Sequence, residues 1–155
     1  TGSQSIQQRM PDFLPDRLEA GTLNMPGIAG LLAGIRYVRR GGLEKILAHE
    51  KHLTQMAVQG LETLPGLRLF VSPGLRNQTG VLSLTAEGVD VENMGSALAE
   101  RGIAVRAGIH CAPYAHRTVG TLDTGTVRIS FSDFNTPEEV ARLLRAVQGV
   151  LGRAF

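Results

Sequence analysis

The chain is expected to fold as an α/β protein of the α+β type: a small, mainly antiparallel sheet with helices covering one side. Three observations predict this. Counted from Leu43, helical and extended patterns follow in the order helix, strand, strand, helix, strand, strand, helix. Adjacent strands are joined by short connections, which antiparallel neighbours permit. Each helical segment carries a single apolar face, so the helices must cover the sheet as a layer.

The opening Thr1-Gly-Ser-Gln-Ser has no methionine and consists of turn-forming residues, as expected of an expression scar or a cut point. Residues 11–24, with Pro11, Pro15 and Gly21, read as a loop crossing a surface, with a short extended piece around Leu18 to Thr22. Asn24 is a helix cap and Pro26 suits the first turn. Ile28, Leu31, Leu32, Ile35 and Val38 then recur at helical spacing, and Gly41-Gly42 ends the element. Gly27, Gly30 and Gly34 allow another backbone to approach, so this helix is expected to pack against a second one. No strand precedes those glycines, which argues against a phosphate loop.

A longer helix is expected over Leu43 to Leu61, with Leu43, Ile46, Leu47, Leu53, Met56, Ala57 and Leu61 on one face. His49 and His52 lie on it without the His-Glu-x-x-His spacing and read as surface residues. Pro65-Gly66 turns the chain into strands over 67–71 and 80–85, joined by the polar stretch 72–77. Asp90 caps a helix whose inner face is Val91, Met94, Ala97 and Leu98, with Gly102 beyond its end. Strands over 103–105 and 126–130 bracket a long loop. The last helix has Thr136 as N-cap, Pro137 at the first position and Glu139 completing a capping box. Its buried face is Val140, Leu143, Leu144, Val147 and Leu151.

Composition limits what this fold does. Of 155 residues, 43% are hydrophobic and 19% charged, as in a globular domain rather than a disordered segment. The 16 basic and 14 acidic residues leave a net charge of +2. Arg39 and Arg40 are the only adjacent basic pair, so no nucleic-acid footprint stands out. One cysteine excludes an intrachain disulfide scaffold and fits a reducing compartment. No apolar run of membrane-spanning length and no basic-then-apolar leader occurs, so the expectation is a cytoplasmic protein without membrane contact.

The chemistry gathers between Arg106 and Arg128. The stretch Arg106-Ala-Gly-Ile-His-Cys-Ala-Pro-Tyr-Ala-His116 holds the only cysteine and two of the four histidines. Cys111 is a nucleophile if a nearby cation favours its thiolate, and Arg106, His110 and His116 are the candidates should the loop fold back. Either histidine is placed to protonate a leaving group. Cys111 reads equally well as a small buried hydrophobe. A metal site of Cys111, His110 and His116 lacks a completing ligand, and a redox thiol would need a resolving partner from another molecule. Arg128 lies in the apolar strand context Val127-Arg128-Ile129, where a charge is costly without a partner. Its planar fork matches a carboxylate, either a substrate's or that of Asp123, Asp133, Glu138 or Glu139.

Thr1-Gly-Ser, Leu14-Pro-Asp-Arg-Leu-Glu-Ala-Gly-Thr-Leu-Asn24, Pro26-Gly27, Val105-Arg-Ala-Gly-Ile-His-Cys111, Gly125-Thr-Val-Arg-Ile-Ser-Phe131 and Phe134-Asn-Thr-Pro-Glu-Glu-Val140 occur in that order. With them the chain resembles the C-terminal part of the class V aminotransferases, and most the cysteine desulfurases related to selenocysteine lyases. The resemblance spans nearly all of the chain. It implies the small C-terminal domain of a fold-type I pyridoxal-phosphate enzyme that acts as a homodimer and hands sulfur to an acceptor protein in iron–sulfur cluster assembly. By it, residues 1–24 are a remnant of the large cofactor-binding domain and boundary segment, 25–42 a bridging helix, and 43–155 the small domain. Cys111 takes the position of the catalytic cysteine that accepts sulfur from L-cysteine as a persulfide, releasing alanine.

Arg128 takes the place of the arginine gripping the substrate α-carboxylate. Arg106 and His110 shape the substrate side of the cysteine loop. Thr1 is placed toward the cofactor phosphate of the opposite subunit, while Glu19 and Asn24 match structural positions near the domain boundary. No metal is implied. The family's Schiff-base lysine has no counterpart here, since Lys45 and Lys51 both fall on the surface of the long helix. The resemblance therefore implies an isolated piece that binds no cofactor and is inactive, its large domain lying elsewhere. Two other functions fit the same residues: a class V aminotransferase or lyase acting on another amino acid, and a noncatalytic persulfide-carrying or interaction module.

Overall fold

A computed structural model of the chain describes residues 9–19 and 21–152. Thr1 lies outside the described residues. The chain divides into two compact units, residues 1–42 and 43–155.

In the first unit, a 3₁₀ turn over Asp16–Leu18 is followed by helix α1, Met25–Gly41. Asn24 Oδ1 accepts the Gly27 amide at 3.0 Å, and Pro26 occupies the first turn, as the sequence predicts. One expectation fails here. The extended piece over 18–22 does not form as such: Leu18 closes the 3₁₀ turn and Gly21 has φ +91°. The backbone prefers to close Leu18 N–H onto the Pro15 carbonyl at 2.9 Å. No α1 residue is buried, and a Cβ on Gly30 or Gly34 would meet nothing within 4 Å. Within its own unit α1 therefore presents Gly30 and Gly34 with no neighbouring backbone against them among the described residues.

The second unit contains α2 (Leu43–Leu61), β1 (Leu67–Phe70), β2 (Val81–Ala86), α3 (Val91–Ala99), α4 (Pro113–Val119), β3 (Val127–Ser130) and α5 (Pro137–Leu151). The three strands form one antiparallel sheet in the order β1-β2-β3. Leu69 pairs with Leu84 and Leu84 with Val127, so one row of leucine and valine runs across the sheet. With Leu82 and Ile129 these residues define its apolar face. Leu53, Ala57 and Leu61 of α2, Met94 and Leu98 of α3, and Val140, Leu143 and Val147 of α5 close over that face. Each fully buried leucine there is worth about 1.5–3 kcal/mol. This is the helix-covered antiparallel sheet the sequence predicts.

The expected fourth strand over 103–105 is not a ladder strand. Ile103 and Val105 are half-buried against the core, and their segment first pairs at Arg106, with Arg128, and then at Gly108, with Thr126. Gly108, at φ +102°, bends the chain soon after, so the pairing stays short. Conversely, the long loop, expected to be irregular, contains the helix α4. Among the described residues no helix is long and apolar enough to cross a membrane.

The N-terminus of α5 ties two layers together. Thr136 Oγ1 accepts the Glu139 amide, Glu139 Oε2 accepts the Thr136 amide at 3.1 Å, and His49 Nε2 of α2 donates to the Asn135 carbonyl at 2.9 Å. Replacing Thr136 with alanine is expected to lower unfolding stability by about 1 kcal/mol, within the usual range for a lost cap. Urea denaturation with an unchanged slope and a lower midpoint would show it; an unchanged midpoint would remove the cap from the account.

Candidate active site

The site is built on the sheet face opposite the core. Strand alternation sends Val127 and Ile129 inward and Arg128 to the other side, where Ser83 is its cross-strand partner and Phe70 lies opposite Ser83. On the far edge the backbones of Arg106 and Arg128 exchange both hydrogen bonds, at 3.1 and 2.7 Å. Two residues on, Gly108 and Thr126 do the same at 3.1 Å each. The paired segments touch backbone to backbone at Gly125. A Cβ there would lie 2.8 Å from the Gly108 carbonyl carbon, and Gly125 has φ +70°, so glycine is required on both counts.

Beyond this brace the chain turns sharply. The Ala112 amide returns to the Ile109 carbonyl at 3.0 Å, and His110 and Cys111 between them both have φ +57°. Two consecutive non-glycine residues in the left-handed region cost on the order of 1–3 kcal/mol each, so surrounding contacts must hold them. His110 Nε2 donates to the Arg106 carbonyl at 3.0 Å, the same oxygen that accepts the Arg128 amide. That bond fixes the neutral ring with its proton on Nε2 and leaves Nδ1 as a proton acceptor. Cys111 is exposed, which rules out the buried-hydrophobe alternative.

The loop is electropositive. His110 titrates below its ordinary 6.5, first through desolvation and then through the positive charges of Arg128, His116 and Arg106; the Arg106 carbonyl opposes the shift. The His110 and His116 rings stand 5.7 Å apart between centroids. Arg128 is half-buried, and its Nε is buried with no hydrogen-bond partner. Of the carboxylates considered for it, Glu139 is engaged by Asn135 Nδ2 and the Thr136 amide. An unpaired buried guanidinium nitrogen in a positive field is an acceptor-seeking group, and a carboxylate is what it fits.

The fold thus joins Arg106, Arg128 and His110 by hydrogen bonds, with Cys111 next to His110 in the turn. Among the described residues no three of His, Cys, Asp or Glu are grouped to hold a metal ion. Four contributors escaped sequence reasoning. Ser83 is located only by strand register, Gly125 only by the backbone it touches, Thr121 by its bond to His116, and Arg68 by its bond to the Val119 carbonyl at 3.3 Å.

A three-stranded antiparallel sheet with helices on one face and a cysteine loop at its edge is the C-terminal small domain of fold-type I pyridoxal-phosphate enzymes. The sequence profile described as aminotransferase class-V matches residues 2–143, and the chain belongs to that family. A probable cysteine desulfurase of Mycolicibacterium paratuberculosis is 42% identical over 136 residues, covering 88% of this chain and 19% of that protein. The cysteine desulfurase of Synechococcus elongatus is 43% identical over 136 residues, covering 88% and 21%. Among solved structures, the apo cysteine desulfurase from Thermococcus onnurineus NA1 superposes with a TM-score of 0.81 at 36% identity, over 88% of this chain and 33% of that one. The cysteine desulfurase CsdA from Escherichia coli, in an S-sulfonic acid form, gives 0.78 at 34%, over 89% and 33%. The chain spans roughly a fifth to a third of the length of these relatives.

The lowered His110 value sets a pH dependence. Below 6.5 the unfolded chain binds a proton that folded His110 declines, so this contribution to stability is present above 6.5 and is lost as pH falls toward the folded value. An NMR titration is expected to place the His110 midpoint below 6.5. A midpoint above it would mean a carboxylate faces the ring.

Proposed function

We propose that this chain is the C-terminal domain of a pyridoxal-phosphate-dependent cysteine desulfurase, in which Cys111 receives the sulfur of L-cysteine and Arg128 holds its carboxylate. The observation that carries the reading is the pairing of an exposed cysteine, held on a left-handed turn, with a buried guanidinium nitrogen that has no internal partner. Desulfurases of known structure that share this domain support it.

The residues fit the amino-acid end of such a site. They do not fit the attachment of the cofactor. Lys45 and Lys51, the only lysines, are exposed on α2, which packs on the apolar side of the sheet, opposite the face that carries Arg128. We infer that the Schiff-base lysine and the large domain lie in a longer parent and that the chain alone is inactive. Bound in that parent, pyridoxal phosphate supplies the electron sink for breaking a carbon–sulfur bond.

The geometry of this chain defines its own contribution. Arg128 fixes the amino acid by two parallel hydrogen bonds to the carboxylate, and the positive charges of Arg106 and Arg128 draw the anion in. The Cys111 thiolate attacks the substrate sulfur. A sulfur–sulfur bond forms as the carbon–sulfur bond breaks, and the electron pair stays with the carbon fragment, which takes up a proton and leaves as alanine. Neutral His110, with Nδ1 free to accept, takes the substrate thiol proton. The persulfide on exposed Cys111 is then open to an acceptor protein's thiol.

In the full-length parent, Cys111→Ala is expected to abolish sulfide release from cysteine while cofactor absorbance persists. Normal release would sink the assignment and favour a class V aminotransferase or lyase with another substrate. Arg128→Ala is expected to raise KM for cysteine roughly 10–100-fold, the loss of a charge-assisted pair worth about 1.5–3 kcal/mol. Arg128→Lys should recover little, lacking the planar fork. A KM unmoved by either change would return Arg128 to a structural role.

A further inference from the structure

The strained turn at His110 and Cys111 needs support on both sides. Upstream, the Arg106–Arg128 and Gly108–Thr126 pairs supply it. Downstream, Cys111 runs through Ala112 directly into α4, a helix of seven residues. Ala112, at its N-cap, makes no side-chain bond. A helix this short is unstable by itself and must be fixed by tertiary contacts. Its sole buried residue is a histidine, His116, 5% exposed.

His116 Nδ1 shares a 2.8 Å hydrogen bond with the hydroxyl of Thr121, itself 3% exposed. The same two residues are joined through the main chain, the Thr121 amide donating to the His116 carbonyl at 2.9 Å. Thr121 in turn accepts the Gly125 amide at 2.8 Å, which connects the pin to the glycine brace upstream of the cysteine. The His116 amide reaches back to the Ala112 carbonyl at 3.1 Å, next to Cys111. Arg68 adds a second hold, donating from Nη2 to the Val119 carbonyl while its guanidinium lies 4.7 Å from the Phe70 ring centroid. An aliphatic residue at 116 would fill the space more cheaply than a buried imidazole, whose polar atoms demand partners. The histidine is explained if the bond it makes matters.

We propose that His116 and Thr121 are a positioning pair for Cys111. Their buried hydrogen bond pins α4 to the 121–125 loop, and α4 holds the Cys111 backbone in the left-handed state that presents its thiol. The catalytic consequence rests on the reading of Cys111 as sulfur acceptor; the structural consequence does not.

The test uses Thr121→Val, which removes the hydroxyl at nearly constant shape, Thr121→Ser, which keeps it, and His116→Asn, whose amide stands near the lost Nδ1. In the 155-residue chain, amide hydrogen exchange in Thr121→Val is expected to quicken at least ~10-fold at Ala112, His116 and Thr121 while Leu82 and Leu84 of β2 keep their protection. Thr121→Ser and His116→Asn should restore most of it. Equal quickening in β2, or none at the three amides, overturns the pin. In the full-length parent, Thr121→Val is expected to lower kcat for sulfide release by about 10–100-fold with KM for cysteine nearly unchanged, as for a misplaced reacting group. Unchanged kcat beside loosened amides overturns the positioning role. If Cys111→Ala proves active, the sulfur-acceptor reading fails instead, and hydrogen exchange alone judges the pin.

Discussion

The short backbone pairing of residues 106–108 with 126–128 is the constraint on which the rest of the site depends. It consists of two reciprocal hydrogen-bonded pairs and one glycine-to-glycine contact, with no side chain required. It determines where Arg128 points, because β3 is held between β2 on one edge and this segment on the other. It also aims the Arg106 carbonyl at both the Arg128 amide and the His110 ring. The pairing ends at Gly108, and the residues after it are free to leave the plane of the sheet. Cys111, three residues beyond the last pair and itself in the left-handed turn, is exposed. The exposure of Cys111 is thus a consequence of how the pairing stops.

The elements legible in the sequence are those with redundant signals. The last helix has a cap, a proline, a returning glutamate and a full apolar face, and each one is realised. The helix capped by Asp90 is legible for the same reason; α2 forms over its expected range, but only its second half is buried, and Leu43 and Leu47 of its expected apolar face are exposed. The segment 103–105 imitates a strand because Ile103 and Val105 are β-branched, yet their preference reflects burial against the core rather than ladder pairing. Helix α4 is hidden in the sequence although Pro113 and Gly120 mark its two ends. It has no side-chain cap and no apolar stripe, and the one side chain it buries is polar, so hydrophobic periodicity has nothing to detect. Cys111, Arg106, His110 and Arg128 are visible as residue types in a row. Their approach is not, because it depends on Ser83 opposite Arg128 and on Gly125 against Gly108, contacts that only register reveals.

The site's electrostatics run against what stability alone would select. Two arginines and two histidines are gathered at one edge of the sheet, and the His110 titration is lowered, first by desolvation and then by those neighbouring charges. A buried guanidinium nitrogen left without a partner costs on the order of 1–3 kcal/mol, and the left-handed pair at 110–111 adds a similar amount. The apolar face of the same sheet offsets both, since Leu82, Leu84, Val127 and Ile129 are almost wholly buried under three helices. Strand β3 therefore does two jobs by alternation: Val127 and Ile129 hold the domain together, and Arg128 on the other face keeps a buried Nε without a hydrogen-bond partner.

On the proposed reading, that division favours an anion as the occupant. A neutral ligand would leave the guanidinium nitrogen unpaired and the like charges unrelieved, whereas a carboxylate answers both at once. The lowered His110 value has desolvation as its first cause, and the same positive neighbours add to it. On the proposed reading, the unpaired Arg128 Nε is the donor left for a substrate anion. A fixed carboxylate in the site would pair that donor and, on the proposed reading, exclude the carboxylate of a substrate.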